Sequence, residues 1–161
     1  MVVPSFFSRC FAALGWAAAL SIVAGPSFGA DPPPAAAGLS VRTSPYPVDR
    51  TVEKIVATAT ERGLTVFAAI DHAAGARRVG LTMKPTVLIV LGNPKGGTPV
   101  MVASPSAAID LPLKVLVAKD AGGTTVVTIN EPGFIQQRHS IPAVLLPAIS
   151  GLGPLLDIAL Q

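Results

Sequence analysis

Apolar runs along the chain predict the strands of a small sheet. Residues 64–70 form one run, and residues 86–91 form an unbroken run rich in β-branched side chains, which is typical of a central strand buried on both faces. Residues 39–43 are the candidate for a first strand. Residues 113–119 and 124–130 flank a four-residue Asp-Ala-Gly-Gly loop, so we predict that they form a hairpin.

Helical spacing of apolar residues separates the first two strands. After Pro47, apolar side chains recur three or four positions apart, and Gly63 supplies a stop. This pattern predicts one amphipathic helix whose inner face carries Val52, Ile55, Val56 and Ala59. Residues 73–79 predict a short helix or turn, and residues 132–139 predict a further short helix.

A glycine-rich turn, residues 92–97, follows the run 86–91 and precedes another predicted helix. A phosphate-binding loop needs Lys and then Ser or Thr after its last glycine, but Thr98 and Pro99 stand there instead. We therefore predict Thr98 as the N-cap and Pro99 as the first residue of a helix. An anion site at this helix start, formed by free backbone N–H groups and Lys95, remains open.

The order of these elements predicts the fold class. A hairpin and a single layer of helices indicate an α+β fold, with one domain over residues 39–161 and a small, mostly antiparallel sheet whose helices pack on one face. The apolar tail, residues 141–160, contains three prolines, so we predict two broken helical pieces rather than a membrane span. A dimer surface and a lipid-facing patch remain alternatives for this tail.

The first thirty residues have the layout of a secretory signal peptide. Arg9 is the only charge before Asp31, the apolar stretch 10–23 is short for a membrane span, and small residues follow at Ser27, Gly29 and Ala30. We predict a signal peptide over residues 1–30, a Pro/Ala-rich spacer over residues 31–38, and a periplasmic or secreted location. A retained N-terminal anchor is the alternative.

Composition after residue 30 excludes several classes of site. Cys10 is the only cysteine, so the mature chain has no disulfide, c-type haem attachment, iron–sulfur cluster or cysteine zinc site, and the sequence leaves any other cofactor unknown. The chain has twelve basic and nine acidic side chains, and loss of Arg9 leaves eleven basic ones, which are scattered. Nucleic acid is therefore not an expected partner.

The pair Asp71-His72 closes the run 64–70 and is the first candidate for chemistry. A carboxylate beside an imidazole at a strand end can bind a metal, transfer a proton or brace a turn. His139 is the only other histidine, 67 positions away, so only the fold can bring His72 and His139 together as metal ligands, with Asp110 as an oxygen donor. The alternative is two histidines hydrogen-bonded to their neighbours.

Other polar residues at predicted strand ends and loops complete the set of ligand-binding candidates, which adds Asn93, Lys95, Asp110, Lys114 and Arg138. Asp110 and Lys114 form a surface ion pair, or else Lys114 is partly buried against a carboxylate. The serines at positions 104, 106 and 140 lie in no nucleophile-elbow pattern, which argues against a Ser-His-Asp hydrolase.

Several motifs in one order carry a family resemblance: Val66-Phe67 with Ile70–Ala76, Lys84–Thr86, Gly92–Lys95 with Gly97–Met101, Ile109–Lys114 and Arg138-His139. In these motifs, between about Ser44 and His139, the chain resembles the domain of unknown function 302 family. The resemblance implies a small α+β domain that is often a homodimer. It implies no established activity and provides no catalytic residue to transfer.

Three functional hypotheses follow. The first is a binding module that holds a metal ion or a small anion near Asp71, His72, Asn93, Lys95 and His139. The second is a structural or dimeric interaction domain that uses the apolar tail. The third is an enzyme that uses Asp71-His72 as a general acid/base pair.

Overall fold

The computed structural model describes residues 38–161, so the predicted signal peptide and nearly all of the predicted spacer lie outside the described residues. Five strands and five α-helices are present in this part of the chain. The strands are β1 (Leu39–Ser44), β2 (Thr65–Asp71), β3 (Thr86–Gly92), β4 (Leu113–Lys119) and β5 (Thr125–Asn130). The helices are α1 (Val48–Glu61), α2 (His72–Arg78), α3 (Pro94–Ala103), α4 (Pro132–His139) and α5 (Leu152–Ala159), with 3₁₀ helices at Pro105–Ile109 and Ala143–Ile149.

The strands form one antiparallel sheet in the order β1-β5-β4-β3-β2. The first two strands of the sequence are therefore the two edges, and α1 crosses the sheet between them. The hairpin of β4 and β5 forms as predicted. The α+β fold with a single open antiparallel sheet confirms the predicted fold class.

One face of the sheet forms the main core beneath α1 and α5. Alternate residues of the three inner strands point to this face and are almost fully buried, namely Ile89, Leu91, Val115, Val117, Val127 and Ile129. They pack against Ile55 and Ala59 of α1 and against Leu155 and Leu156 of α5. Because side chains alternate along a strand, the intervening residues lie on the opposite face.

The opposite face of the sheet is the less buried one within residues 38–161, because α1 and α5 both pack on the first face. Leu88, Val90 and Leu116 are only partly buried there. The prediction that 86–91 is a central strand is correct, but the prediction that both of its faces are covered is wrong. Helices α1 and α5 pack on the same side of the sheet. The unbroken apolar run 86–91 therefore contributes side chains to one covered face and to one open apolar face.

A second, smaller core lies beside the main one and joins the irregular elements. It consists of Val100, Ala107, Ile135, Ile141 and Ile149. These residues come from α3, from the two 3₁₀ helices and from α4 and the segment after it. This cluster fixes the positions of the segments that carry the polar residues described below.

The apolar tail folds into two short helical pieces, the 3₁₀ helix 143–149 and α5, as predicted. Most of its large side chains are buried in the two cores, whereas Val144 is 82% exposed and Ile158 is 46% exposed. Within residues 38–161, no helix has the length and hydropathy needed to cross a bilayer.

Helix α3 begins earlier than predicted. Asn93 is its N-cap and Pro94 its first residue, and the Asn93 side chain accepts a hydrogen bond from the Lys95 N–H at 2.9 Å. The prediction of Thr98 and Pro99 as cap and first residue is therefore wrong, and Pro99 lies inside the helix. Asn-Pro satisfies the same physical rules as Thr-Pro, and it comes first along the chain.

Replacement of Ile89 by Ala tests the position of β3. Ile89 is fully buried in the middle of the sheet, so we expect the free energy of unfolding to fall by about 2–5 kcal/mol in a denaturant titration. The matched change Val144→Ala, at a position 82% exposed, is expected to alter it by less than about 0.5 kcal/mol. A loss below about 1 kcal/mol for Ile89→Ala would contradict the core assignment.

Candidate functional site

Asp71 and His72 form a helix start. The Asp71 side chain accepts a hydrogen bond from the Ala74 N–H at 2.8 Å and lies 3.7 Å from the guanidinium of Arg77. Asp71 is thus the N-cap of α2, and His72 is the first residue of that helix, with an exposed side chain. Of the three roles considered for this pair, the structure shows Asp71 bracing the turn.

The structure does not bring His72 and His139 together. Asp71 pairs with Val87 at one end of the sheet, whereas Asp110 precedes Leu113, which pairs with Leu91 near the other end. These two rows of the sheet are four residues apart, or roughly 13 Å. Asn93 and Lys95 directly follow β3, so they lie at the Asp110 end.

At that end, a polar cluster forms around the Asp110 carboxylate. Its Oδ2 atom lies 2.7 Å from Nε2 of His139 and 3.2 Å from the guanidinium of Arg138. The other ring nitrogen of His139, Nδ1, lies 3.0 Å from Oγ of Ser106. The side chains of His139 and Asp110 are 5% and 12% exposed, so the imidazole is the buried partner, while Arg138, 52% exposed, is the solvent-facing one.

Local structure explains why these side chains meet. Asp110 is the C-cap of the 3₁₀ helix 105–109, four residues after Ser106. Arg138 and His139 occupy the last turn of α4. Ala107 and Ile135, one from each of these helices, are fully or almost fully buried in the second core, and this packing holds the two helices against each other.

The side chain of Lys114 contacts main-chain carbonyl oxygens of the same segment. Its ammonium donates to the carbonyl oxygens of Ile109 at 3.2 Å, Asp110 at 3.0 Å and Pro112 at 3.5 Å. Lys114 is partly buried, as one of the two predictions for it required, but its partners are carbonyls and not a carboxylate. The lysine thereby stabilises the chain reversal that carries Asp110.

The backbone N–H groups at the start of α3 are engaged within the chain. The Lys95 N–H donates to the Asn93 side chain, and the N–H groups of Gly96 and Gly97 donate to the Asn93 carbonyl at 3.0 and 2.9 Å. Pro94 has no N–H to offer. An anion at this position would therefore meet the exposed side chain of Lys95 and not the free amides that the sequence suggested.

A cavity of about 260 Å³ opens beside the start of α3. Its walls are mainly apolar, and Asn93 and Thr98 contribute polar side chains; the remaining lining includes Phe67, Met101, Leu111, Pro112, Leu113 and Ile149. Gly92 and Gly97 also line it. A cavity with an apolar wall and few polar groups is the usual form of a small-molecule site.

A wider groove of about 430 Å³ lies at the Asp71 end of the sheet. It mixes carboxylates with cations, since Asp49, Asp71, Arg77 and Lys119 all line it. Asp71 is already committed to capping α2, and Arg77 lies beside it. The groove therefore contains two carboxylates and two cations, and Asp71 is not free to act there as an acid or base.

Metal ligation has limited support within the described residues. In the segment from Gly38 to the C-terminus, no three His, Cys, Asp or Glu side chains are grouped to hold a metal ion. Both ring nitrogens of His139 are hydrogen-bonded, one to Ser106 and the other to Asp110.

Sequence reasoning discounted Ser106, because nothing in the order of residues indicated that it meets a histidine 33 positions away.

Comparison with known proteins identifies relatives. A family model described as domain of unknown function DUF302 matches residues 40–157. The crystal structure of an uncharacterized conserved DUF302 protein from Bacillus stearothermophilus covers 78% of this chain and 97% of its own, with a TM-score of 0.65 and 18% identity. That likeness supports the fold.

Two curated relatives come from Brucella. The protein named fluoride-specific ion channel FluC 1 of Brucella suis biovar 1 is 39% identical over 104 residues, which is 65% of this chain and 41% of that protein. The protein named FluC 2 of Brucella melitensis biotype 1 is also 39% identical over 104 residues, with 38% of its length covered. The chain thus spans about two fifths of the length of these relatives.

Proposed function

The chain belongs to the family described as domain of unknown function DUF302, and we propose that it is a binding module for a small, mainly apolar ligand. The observation that carries this proposal is the cavity of about 260 Å³ at the start of α3. The ligand's apolar body lies against Phe67, Met101 and Leu113. A polar or anionic end faces Asn93 and Thr98. Lys95, which carries an ammonium group, is two residues after Asn93 along the chain.

Two of the residues that line this cavity, Gly92 and Gly97, have no side chain to occupy it. An added Cβ at Gly97 would have no heavy atom within 4 Å, so the space in front of it is open. Gly92 is more confined, since its Cβ would approach the Pro112 side chain at 3.5 Å. A larger residue at position 97 would therefore project into open space without displacing its neighbours.

Replacement of Gly97 by Leu tests the proposal. The probe is 1-anilinonaphthalene-8-sulfonate, which joins an apolar body to an anionic group and fluoresces in apolar sites. We expect Gly97→Leu to weaken dye binding at least about tenfold, or about 1.4 kcal/mol, because the new side chain fills the cavity. The protein should remain folded, since Leu is favoured over Gly inside a helix.

Gly133→Leu is the matched control. Gly133 also lies in a helix, an added Cβ there also meets nothing within 4 Å, and it does not line the cavity. Equal dye binding by the two variants would show that the cavity is not the binding site. Titrations with Cu²⁺, Zn²⁺ and fluoride test the ionic versions, and binding weaker than about 0.1 mM throughout would rule them out.

Fluoride is included because of the names of the Brucella relatives. The chain covers about two fifths of those proteins, so fluoride as a ligand of this domain is part of the proposal. Lys95 directly follows Pro94, which lines the cavity, and its side chain is exposed, so a fluoride effect should depend on it.

A homodimer through the open face of the sheet is a second candidate. This face carries mainly apolar side chains from edge to edge, in the row Ile70, Leu88, Leu116, Thr128 and Val41 of neighbouring strands. Ile70 is 44% exposed and Val41 is 60% exposed. The hypothesis from the sequence placed the interaction surface on the apolar tail. The side chains of the tail are mostly buried, so we place the interaction surface on the sheet instead.

Charge and area support a second copy as the occupant. Lys114 is the only charged residue at the strand positions of this face, and its ammonium is engaged by carbonyls, so the face has no charge pattern for an ionic partner. Strand spacing and rise give a face of roughly 500 Å². Two such faces would bury about 1,000 Å², which meets the lower limit of a specific interface.

Leu116→Lys tests the dimer. A lysine at the centre of the face would meet its copy across a two-fold axis, so we expect association to weaken at least about tenfold in analytical ultracentrifugation. Val41→Lys, at an edge position that is 60% exposed, is the variant that least disturbs folding. Val144→Lys, in the tail and 82% exposed, is the control. Loss of association in Val144→Lys alone would assign the interface to the tail.

Export to the periplasm or beyond the cell is proposed from the N-terminal sequence. Arg9, the short apolar stretch after it and the small residues before Asp31 support it. Expression of the full chain should yield a protein whose N-terminus, read by mass spectrometry, lies near residue 31. An intact N-terminus on a membrane-bound protein would indicate the retained anchor instead.

A further inference from the structure

Ser106, His139 and Asp110 form a continuous hydrogen-bonded chain, and none of the three lines the cavity beside α3. Oγ of Ser106 lies 3.0 Å from Nδ1 of His139, and Nε2 of the same ring lies 2.7 Å from Oδ2 of Asp110. The ring is buried at the junction of two helices, while Ser106 is exposed. A solvent-facing hydroxyl is thus connected to a buried imidazole and carboxylate.

The partners of the imidazole determine its hydrogen-bonding roles. An ionised carboxylate only accepts hydrogen bonds, so Nε2 carries the proton that it donates to Asp110. In the neutral ring Nδ1 is then the acceptor, and the Ser106 hydroxyl donates to it. The hydrogen of Ser106 therefore points at a base, as general-base activation of a serine requires.

We propose that Ser106 is an activated nucleophile, with His139 as its general base, and that the chain carries an acyl-transfer site for small activated esters. This proposal is independent of the cavity beside α3. Asp110 orients the ring through Nε2, and Arg138 contacts the same carboxylate oxygen at 3.2 Å. The two ring nitrogens are used in the reverse order from a chymotrypsin-type triad, but the roles of base and orienting carboxylate are the same.

The reaction balances with water as the only co-reactant. Oγ of Ser106 attacks the ester carbonyl carbon as its proton moves to Nδ1 of His139. The carbon–oxygen bond to the leaving alcohol then breaks, and the alcohol takes that proton. Water, activated by the same nitrogen, attacks the acyl-serine and releases the carboxylic acid, which restores the serine hydroxyl.

Labelling with a fluorophosphonate tests the proposal in the purified protein. The reagent forms an Oγ–phosphorus bond at an activated serine as the phosphorus–fluorine bond breaks, and peptide mapping locates the label. We expect Ser106 to react at least about 100-fold faster than Ser150, whose hydroxyl donates to the Leu146 carbonyl at 2.8 Å and has no imidazole partner. A rate ratio near one would overturn the proposal.

Three variants separate a reactive role from a structural one. Ser106→Ala should abolish the label, while Ser150→Ala should leave it unchanged. In His139→Gln the amide can donate to Asp110 and accept from Ser106, so the contacts are retained without the base, and labelling should fall about 100-fold. Labelling of a folded His139→Gln protein within about threefold of the parent would also overturn the proposal. If that variant does not fold, the ratio of Ser106 to Ser150 labelling in the parent decides.

Discussion

Burial of one face of the sheet beneath α1 and α5 is the constraint on which the rest of the structure depends. The chain after residue 30 has no cysteine, so no disulfide contributes, and folding relies on removing apolar surface from water. Ile89, Leu91 and Val117 supply that surface from the sheet, and Ile55 and Leu156 supply it from the helices. Because both helices take the same side, the strands are left with an open face. The feature that stabilises the monomer therefore also leaves apolar side chains on the other face partly exposed.

The second core has a different consequence, since it fixes segments that lack regular pairing. Val100, Ala107, Ile135 and Ile149 bring α3, α4 and the two 3₁₀ helices to one end of the sheet. The cavity and the polar cluster of Asp110 both lie there, one against the start of α3 and the other between the 3₁₀ helix and α4. Short helices have little stability of their own, so their geometry depends on this packing. Both site candidates therefore depend on this small core.

Much of the fold could be predicted from the sequence because its signals are local. The run 86–91, the glycine loop between β4 and β5, and the helical spacing before Gly63 each report on a few neighbouring residues. The start of α3 was misplaced because Asn93-Pro94 and Thr98-Pro99 both satisfy the rules for a helix start, and sequence alone does not rank them. The polar cluster was only partly predicted. Asp110, Arg138 and His139 were candidates, but their meeting with Ser106 depends on contacts about 30 residues apart along the chain.

The two histidines show how burial turns a residue type into a defined chemical group. His72 and His139 were both candidates in the sequence, with His72 the first of them, yet His72 is exposed at the start of α2. A buried imidazole must satisfy both nitrogens, because an unpaired polar atom in an apolar setting is costly. Asp110 satisfies Nε2 as an acceptor, which leaves Nδ1 of the neutral ring to accept from Ser106. The hydrogen bonds that stabilise the junction of α4 and the 3₁₀ helix therefore also fix the direction in which a proton can move, and a structural role and a chemical role arise from the same geometry.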